Sequence, residues 1–136
     1  MYSNVAYIKN ADTDSLSLSI NCCGYEHSLE ANSDTQRPHG RSDYLLLYTA
    51  AGNVHIVNGN TEQIYPAGTV VLYKPNQPQR YKYMKDDQSE SFWVHFSGKN
   101  VEGILSEFGM TSPSIFFTRN LSDLNQLFLQ LISECQ

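Results

Sequence analysis

Between Tyr44 and Phe96 the apolar residues fall in short runs, each closed by turn chemistry, with no helical period anywhere in the stretch. DYLLLYTA (43–50) ends at Gly52, and VHIV (54–57) runs into Asn58-Gly59, a dipeptide that accepts positive φ in a type I′ hairpin. TEQIY (61–65) is the return strand. Pro66-Ala-Gly68 turns the chain into TVVLY (69–73), the Pro75 to Pro78 segment turns it again, and QRYKYM (79–84) and SESFWVHF (89–96) flank a polar tip, KDDQ. Short antiparallel strands at this spacing specify a small barrel or sandwich. A chain of 136 residues holds one such domain and not two.

Upstream, Leu16, Leu18 and Ile20 alternate with serines, so Ser15 to Ile20 reads as a strand with one buried face. The polar segment from Glu30 to Ser42 reads as a loop lying across the barrel. After Gly98 the period changes. Val101, Ile104, Leu105 and Phe108 recur at helical spacing and Gly109 closes that helix. A second helix starts at Asn120, its cap, with Asp123 in the first turn. Its Leu121, Leu124, Phe128 and Leu131, extended by Cys135, form a short heptad seam and are the residues expected to carry dimerisation, and Leu127, Leu129 and Ile132 widen the apolar surface. Such a helix has two faces to bury, one on its own barrel and one on a partner. The expected division is a barrel over 1–96 and a helical packing and dimerisation segment over 97–136. The second helix is still apolar at Gln136, which suggests a piece of a longer protein.

Nine basic residues against fourteen acidic ones give a net charge of −5 with no basic cluster, a surface that repels duplex DNA. Cys22, Cys23 and Cys135 are odd in number and two are adjacent, so they form no secreted-type disulfide framework. The start MYSNVAYIKN is neither basic nor apolar enough for an export signal, and no segment approaches the ~20 apolar residues of a spanning helix. A cytoplasmic location is the expectation.

The proline-glycine turns resemble those of the cupin superfamily of double-stranded β-barrels. Metal-binding cupins carry two histidines and a glutamate in a first motif and a histidine past the PxG turn in a second. Aligned by glycines, the first motif falls on His39, Arg41 and Leu45 and the second on Gln79. Only His39 is a plausible ligand, since arginine stays protonated and leucine offers no donor atom. No metal, cofactor or catalytic residue is therefore expected.

A narrower resemblance covers roughly residues 20–135. The run RPHGRSDYLLLYTAAGNVHIVNGNTEQIYPAGTVVLYKPNQPQRY, followed by FWVHFSG and preceded by Cys23-Gly24-Tyr25-Glu26, is similar to the amino-terminal domain of AraC-family transcription regulators. The shared marks are a loop arginine before a DY-type strand, the PxG turn with its following proline, and an aromatic-x-His-Phe strand leading into helices. The resemblance implies a cupin-like barrel (jelly roll) that binds a small effector, often a sugar. It also implies a helical pair that dimerises, with DNA contacted only through a separate carboxy-terminal domain that this sequence does not include.

The resemblance places Arg37 at the arginine that contacts sugar oxygens in an arabinose-responsive member, and puts Gln79, Tyr81 and Trp93 at pocket positions of the same relative. Gln79 and Ser91 stand where that relative has histidines. The residues suit the role: a planar guanidinium for a polyol or carboxylate, an amide that donates and accepts, and an indole plane for the apolar side of a sugar ring. His95 shares the face of Trp93 and can bond a hydroxyl. Each has a plainer reading beside it: Trp93 and His95 as core residues, Arg37 and Arg41 as solvated or structural arginines. One of Tyr44 and Tyr48 reaches the pocket or both simply pack. His27 and His55 have no evident partner, and Cys22 and Cys23 are buried, inert thiols unless a redox partner exists.

Three functions compete. The first is an effector-sensing, dimerising module of a transcription regulator. The second is a metal-independent cupin isomerase or epimerase, which needs an acid/base pair such as His95 with Tyr81, or a carboxylate, for which Glu62 and Glu90 are the main candidates. The third is a lectin-like domain with the pocket but no use for the seam.

Overall fold

The computed structural model describes residues 2–7, 17–110 and 114–135. Its strands are β1 (Tyr2–Tyr7), β2 (Ser19–His27), β3 (Ser33–Arg37), β4 (Tyr44–Ala51), β5 (Asn53–Asn58), β6 (Thr61–Pro66), β7 (Thr69–Tyr73), β8 (Gln79–Tyr83), β9 (Glu90–Ser97) and β10 (Ile115–Phe117). Helix α1 (Val101–Glu107) follows β9, and α2 (Leu121–Cys135) follows β10. The strands form two antiparallel sheets, one ordered β1-β2-β9-β4-β7-β10 and the other β3-β8-β5-β6. This is the cupin-like barrel of two facing sheets followed by two helices.

The central strands β9, β4 and β7 of the large sheet are buried on both sides, which is why they read as continuous apolar runs. One face looks into the barrel. There Leu45, Leu47, Val71 and Tyr73 meet Val54, Tyr81 and Tyr83 of the small sheet. On the other face Tyr44, Tyr48, Leu72, Phe92, Val94 and Phe96 meet Val101 and Leu105 of α1 and Phe128 and Ile132 of α2. At its centre the rings of Tyr48, Phe92 and Phe128 lie 5.3 to 6.1 Å apart. The outer side of β5 and β6 has no such cover; there His55 and Glu62 stand beside Val57 and the exposed Ile64.

Turn chemistry closes these strands. Asn58 pairs with Thr61, so the β5–β6 loop is Gly59-Asn60, one residue later than Asn58-Gly59. Only Gly59 has positive φ, at 62°, the pattern of a turn with glycine at its first central position and not of type I′. Gly68 of the PxG turn has φ 99°, and an added Cβ would lie 2.7 Å from the Thr118 carbonyl oxygen. Glycine is required twice there, for conformation and for the close pass of the chain entering α2.

Several sequence expectations are corrected. The strand expected over Ser15 to Ile20 starts at Ser19 and runs on to His27, with an irregularity between Ile20 and Cys22. Leu18 lies exposed in a bend, and Ser15 and Leu16 fall outside the described residues. The loop expected over Glu30 to Ser42 contains β3, whose inward residues Ser33, Thr35 and Arg37 are polar because they face a polar cavity. Phe108 points to solvent instead of completing the α1 stripe. The segment after Gly98 is not purely helical, since β10 pairs with β7.

Helix α2 begins as expected, with the Asp123 amide donating to Asn120 Oδ1 over 3.3 Å. Its seam lies on the chain's own sheet: Phe128 is 4% exposed, and Leu121, Leu124, Leu131 and Cys135 pack against the same cluster. A face toward the helices' own barrel and a face toward a partner have the same period, and here the barrel takes the seam. Solvent meets Leu127, 61% exposed, and Leu129.

Candidate ligand-binding cavity

Cross-strand register decides which side chains meet inside the barrel. On β9, Ser91, Trp93 and His95 share the inward face, and their neighbours on β4 are Thr49, Leu47 and Leu45. On the other flank β2 sets Glu26, Gly24 and Cys22 beside the same three residues. The small sheet answers with the pairs Ser33–Tyr83, Thr35–Tyr81 and Arg37–Gln79. Between the sheets lies a cavity of about 320 Å³. Glycine at 24, opposite Trp93, contributes no side chain to fill it.

The cavity has two unlike ends. At one end stand Arg37, Arg41 and His95; at the other stand Glu26, Ser33, Tyr83 and Ser91; Trp93, Leu47, Tyr81 and Thr35 lie between. The two arginines differ in what they touch. Arg41 binds Asp43 through Nε at 2.9 Å and Nη2 at 3.3 Å. Arg37 donates from Nη1 to Gln79 Oε1 at 2.8 Å and lies 3.4 Å from the Tyr81 hydroxyl, and among the described residues no carboxylate pairs with it.

Asp43 is buried beneath the arginine end. Burial opposes its ionisation, yet His95, Arg41 and Asn21 together outweigh that and hold its carboxyl well below the usual carboxylate range. The Asn21 amide donates to Asp43 Oδ2 at 3.1 Å, and His95 Nδ1 lies 3.4 Å from Oδ1, at ion-pair distance but too poorly aligned for a hydrogen bond. His95 is 4% exposed. At the opposite end burial pushes the Glu26 carboxyl up while the Ser33 hydroxyl pulls the other way, and Glu26 Oε1 is buried without a hydrogen-bond partner.

Of the residues singled out from sequence, the structure brings Arg37, Tyr81, Trp93 and His95 to this cavity. Gln79 does not line it. It is 2% exposed and sits behind Arg37, holding one edge of the guanidinium. Neither Tyr44 nor Tyr48 reaches the cavity: Tyr44 donates to Glu102 Oε1 at 2.5 Å and Tyr48 to Asn125 Oδ1 at 2.8 Å, both on the helix side. Glu62 bonds Lys82 and His55 on the outer surface, and Glu90 accepts from Tyr25, so neither carboxylate lines the cavity. His55 does have partners, Glu62 and Asp87, each at 3.3 Å. Glu26, Thr35 and Asp43 were missed. The alternation Cys22, Gly24, Glu26 carried the signal for Glu26.

The positions of the cupin metal motif are scattered in use. His39 lies in an exposed turn, Arg41 serves Asp43, Leu45 is fully buried and Gln79 serves Arg37. Among the described residues no three of His, Cys, Asp and Glu stand together as a metal site would need. No described helix is long and apolar enough to cross a membrane.

The fold recurs in ToxT of Vibrio cholerae. A crystal structure of an apo ToxT variant superposes with a TM-score of 0.55 at 15% identity, covering 92% of this chain and 50% of that one. Wild-type ToxT with bound unsaturated fatty acid superposes at 0.51 and 19% identity, covering 93% and 49%. The chain thus spans about half the length of these ToxT chains. No curated protein sequence matches it. The family described as the AraC-like ligand binding domain matches over residues 24–136, from the second half of β2 through α2. By that match over most of its length, the chain belongs to the AraC-like ligand-binding domain family.

Proposed function

We propose that this chain is the effector-sensing and dimerising part of a cytoplasmic AraC-type transcription regulator, taking a sugar-like molecule into the barrel. One observation carries the reading: β9 faces two ways. Its Trp93 and His95 line the cavity, while Phe92, Val94 and Phe96 between and beside them pack in the cluster that seats α2. A ligand that moves Trp93 therefore acts on a strand that also positions the helix. Such a device switches only if ligand binds two arrangements unequally. The whole regulator's DNA-binding domain would read that difference through the geometry of a homodimer. Leu127 and Leu129, exposed on α2, are the apolar residues available to a second copy.

A sugar suits the walls. Ser33, Thr35, Ser91 and Tyr81 offer hydroxyls, and Trp93 offers a ring for the apolar side of a pyranose. One ToxT structure holds an unsaturated fatty acid, but a long acyl chain here would leave the Glu26 end without a hydrogen-bonding partner. Catalysis is the second reading: Glu62 and Glu90 lie away from the cavity, but His95 and Tyr81, the acid/base pair open to a metal-free isomerase, line it together with Glu26, so the fate of the sugar must be followed as well as its binding.

The test is thermal unfolding with a panel of mono- and disaccharides and with divalent metal and chelator controls. A ligand at 100 times its Kd adds about 2.7 kcal/mol, a shift of several degrees for a domain this size. We expect a sugar to raise the midpoint, Trp93→Ala to cut the rise by about half or more, and the recovered sugar to be unchanged by NMR. A rise with metal alone, or a converted sugar, overturns the reading.

A further inference from the structure

We propose that the effector is a sugar acid, a polyhydroxylated monocarboxylate whose carboxylate pairs with Arg37 and whose hydroxyls run past Trp93 to Glu26. This rests on the sugar-sensing reading above and narrows it.

Arg37 is the starting point. A guanidinium carries five N–H donors, and only the Nη1 side is engaged, by Gln79 and Tyr81. The other edge has no partner among the described residues. A half-buried cation without a counter-ion has lost hydration and gained no Coulombic return. Two parallel N–H···O bonds to a carboxylate supply what is missing, and the planar fork is shaped for them. Residue 79 makes this possible by being neutral: it orients the guanidinium and leaves its charge unspent. Arg41 shows the alternative, since its charge is already matched by Asp43.

The far end sets the rest of the molecule. On β3, Arg37 and Ser33 are four residues apart, roughly 13 Å along the strand. Glu26 stands near Ser33 with Oε1 buried and unpartnered, an acceptor that calls for a hydroxyl donor. Burial already disfavours negative charge there, so a second carboxylate on the ligand is excluded from that end. Between the two ends lie the hydroxyls of Thr35 and Tyr81 and the ring of Trp93. The volume of about 320 Å³ is at the small end for ligand cavities and suits one sugar unit.

Matched pairs test this by calorimetric titration of the whole chain: glucose against glucuronate, galactose against galacturonate, with gluconate as an open chain and glucarate as a diacid. We expect a monoacid to bind roughly 10- to 100-fold tighter than its neutral partner, the size of a charge-assisted bidentate contact, and glucarate to bind more weakly than gluconate. Arg37→Gln should weaken binding of the acid far more than binding of its neutral partner and so erase the preference for acid, and Arg37→Lys should keep part of it. If a neutral sugar binds as tightly as its acid, or the preference survives Arg37→Gln, the carboxylate assignment falls and the sugar reading stands. If no sugar or sugar acid binds, both fall.

Discussion

Arg37 and Gln79 are directly opposite one another on β3 and β8, and the guanidinium donates to the Gln79 side-chain carbonyl over 2.8 Å. Aligned by glycines, Gln79 falls where the motif of a metal-binding cupin has a histidine. Here its work is to aim an arginine.

Replacing Gln79 should therefore change binding more than stability. Gln79→Leu loses a hydrogen bond to a charged group but also removes the buried Nε2 that has no partner, so the two effects largely cancel. We expect a thermal midpoint within a few degrees of wild type and effector affinity lowered about 10-fold, by calorimetry. Gln79→Glu should neutralise Arg37 and abolish any preference for an acidic ligand.

Trp93 is the chain's only tryptophan and lines the cavity, so its emission reports on that site alone. Effector binding should shift or quench the fluorescence with the same saturation curve that calorimetry gives. Trp93→Phe keeps a ring and should weaken binding only a few-fold, whereas Trp93→Ala should cost about 10-fold or more. A saturating ligand that leaves the emission untouched would place binding elsewhere.

What could be read from the chain, and what could not, follows from how many faces of a strand are apolar. Strands β4, β7 and β9 were legible because LLLY, TVVLY and SFWVHF are largely apolar on both faces, and β5, β6 and β8 because proline and glycine turns delimit them. Strand β3 was not, because Ser33, Thr35 and Arg37 point inward to a polar cavity and so imitate a loop. The middle of β2 hid behind Cys22, Cys23 and Gly24, small residues that show no hydrophobic alternation although all three are buried. The α2 seam was found by its period, but period cannot tell a partner's surface from the Phe92 and Tyr48 rings of the same chain. Family resemblance supplied Arg37, Tyr81 and Trp93, and strand alternation added His95 beside Trp93. Glu26 was legible only as the third member of the alternation Cys22, Gly24, Glu26, and Asp43 depends on a long-range meeting with His95 that no local pattern encodes.

The acid limb of stability should belong in part to Asp43. Its folded carboxyl titrates below the unfolded value of about 4, so as pH falls the unfolded chain takes up the proton first. The stabilisation is complete above that value and is lost as pH drops toward the folded pKa. Asp43→Asn should cost about 2 kcal/mol at pH 7, the worth of hydrogen bonds to a charged group, and the gap from wild type should shrink toward pH 3. Urea unfolding at a series of pH values measures both.

Cys23 gives the opposite sign. Burial, reinforced by the neighbouring Cys135 thiol, pushes it up to about 12. Below the unfolded value of about 8.5 its contribution is fully present, and it fades as pH rises through that value toward the folded one. At pH 8 we expect an aromatic disulfide reagent to modify Cys135 quickly in the native chain and Cys22 and Cys23 only on unfolding. Rapid modification of Cys23 in the native chain would contradict its burial.

Helix α2 separates folding from assembly residue by residue. Phe128 packs its ring on Tyr48 and Phe92 at 5.7 and 5.3 Å, so Phe128→Ala should remove roughly 3–5 kcal/mol and leave a domain that unfolds near ambient temperature. Leu127 and Leu129 touch little of the same chain, and Leu127→Glu with Leu129→Glu should change monomer stability by about 0.5 kcal/mol or less. If those leucines are the surface presented to a second copy, the double variant becomes monomeric in sedimentation velocity at concentrations where wild type is dimeric, with its effector affinity intact. A double variant that still dimerises would move the interface away from Leu127 and Leu129, which flank the seam on its two sides, and one that also loses effector binding would show that the cavity and the interface are built as one unit.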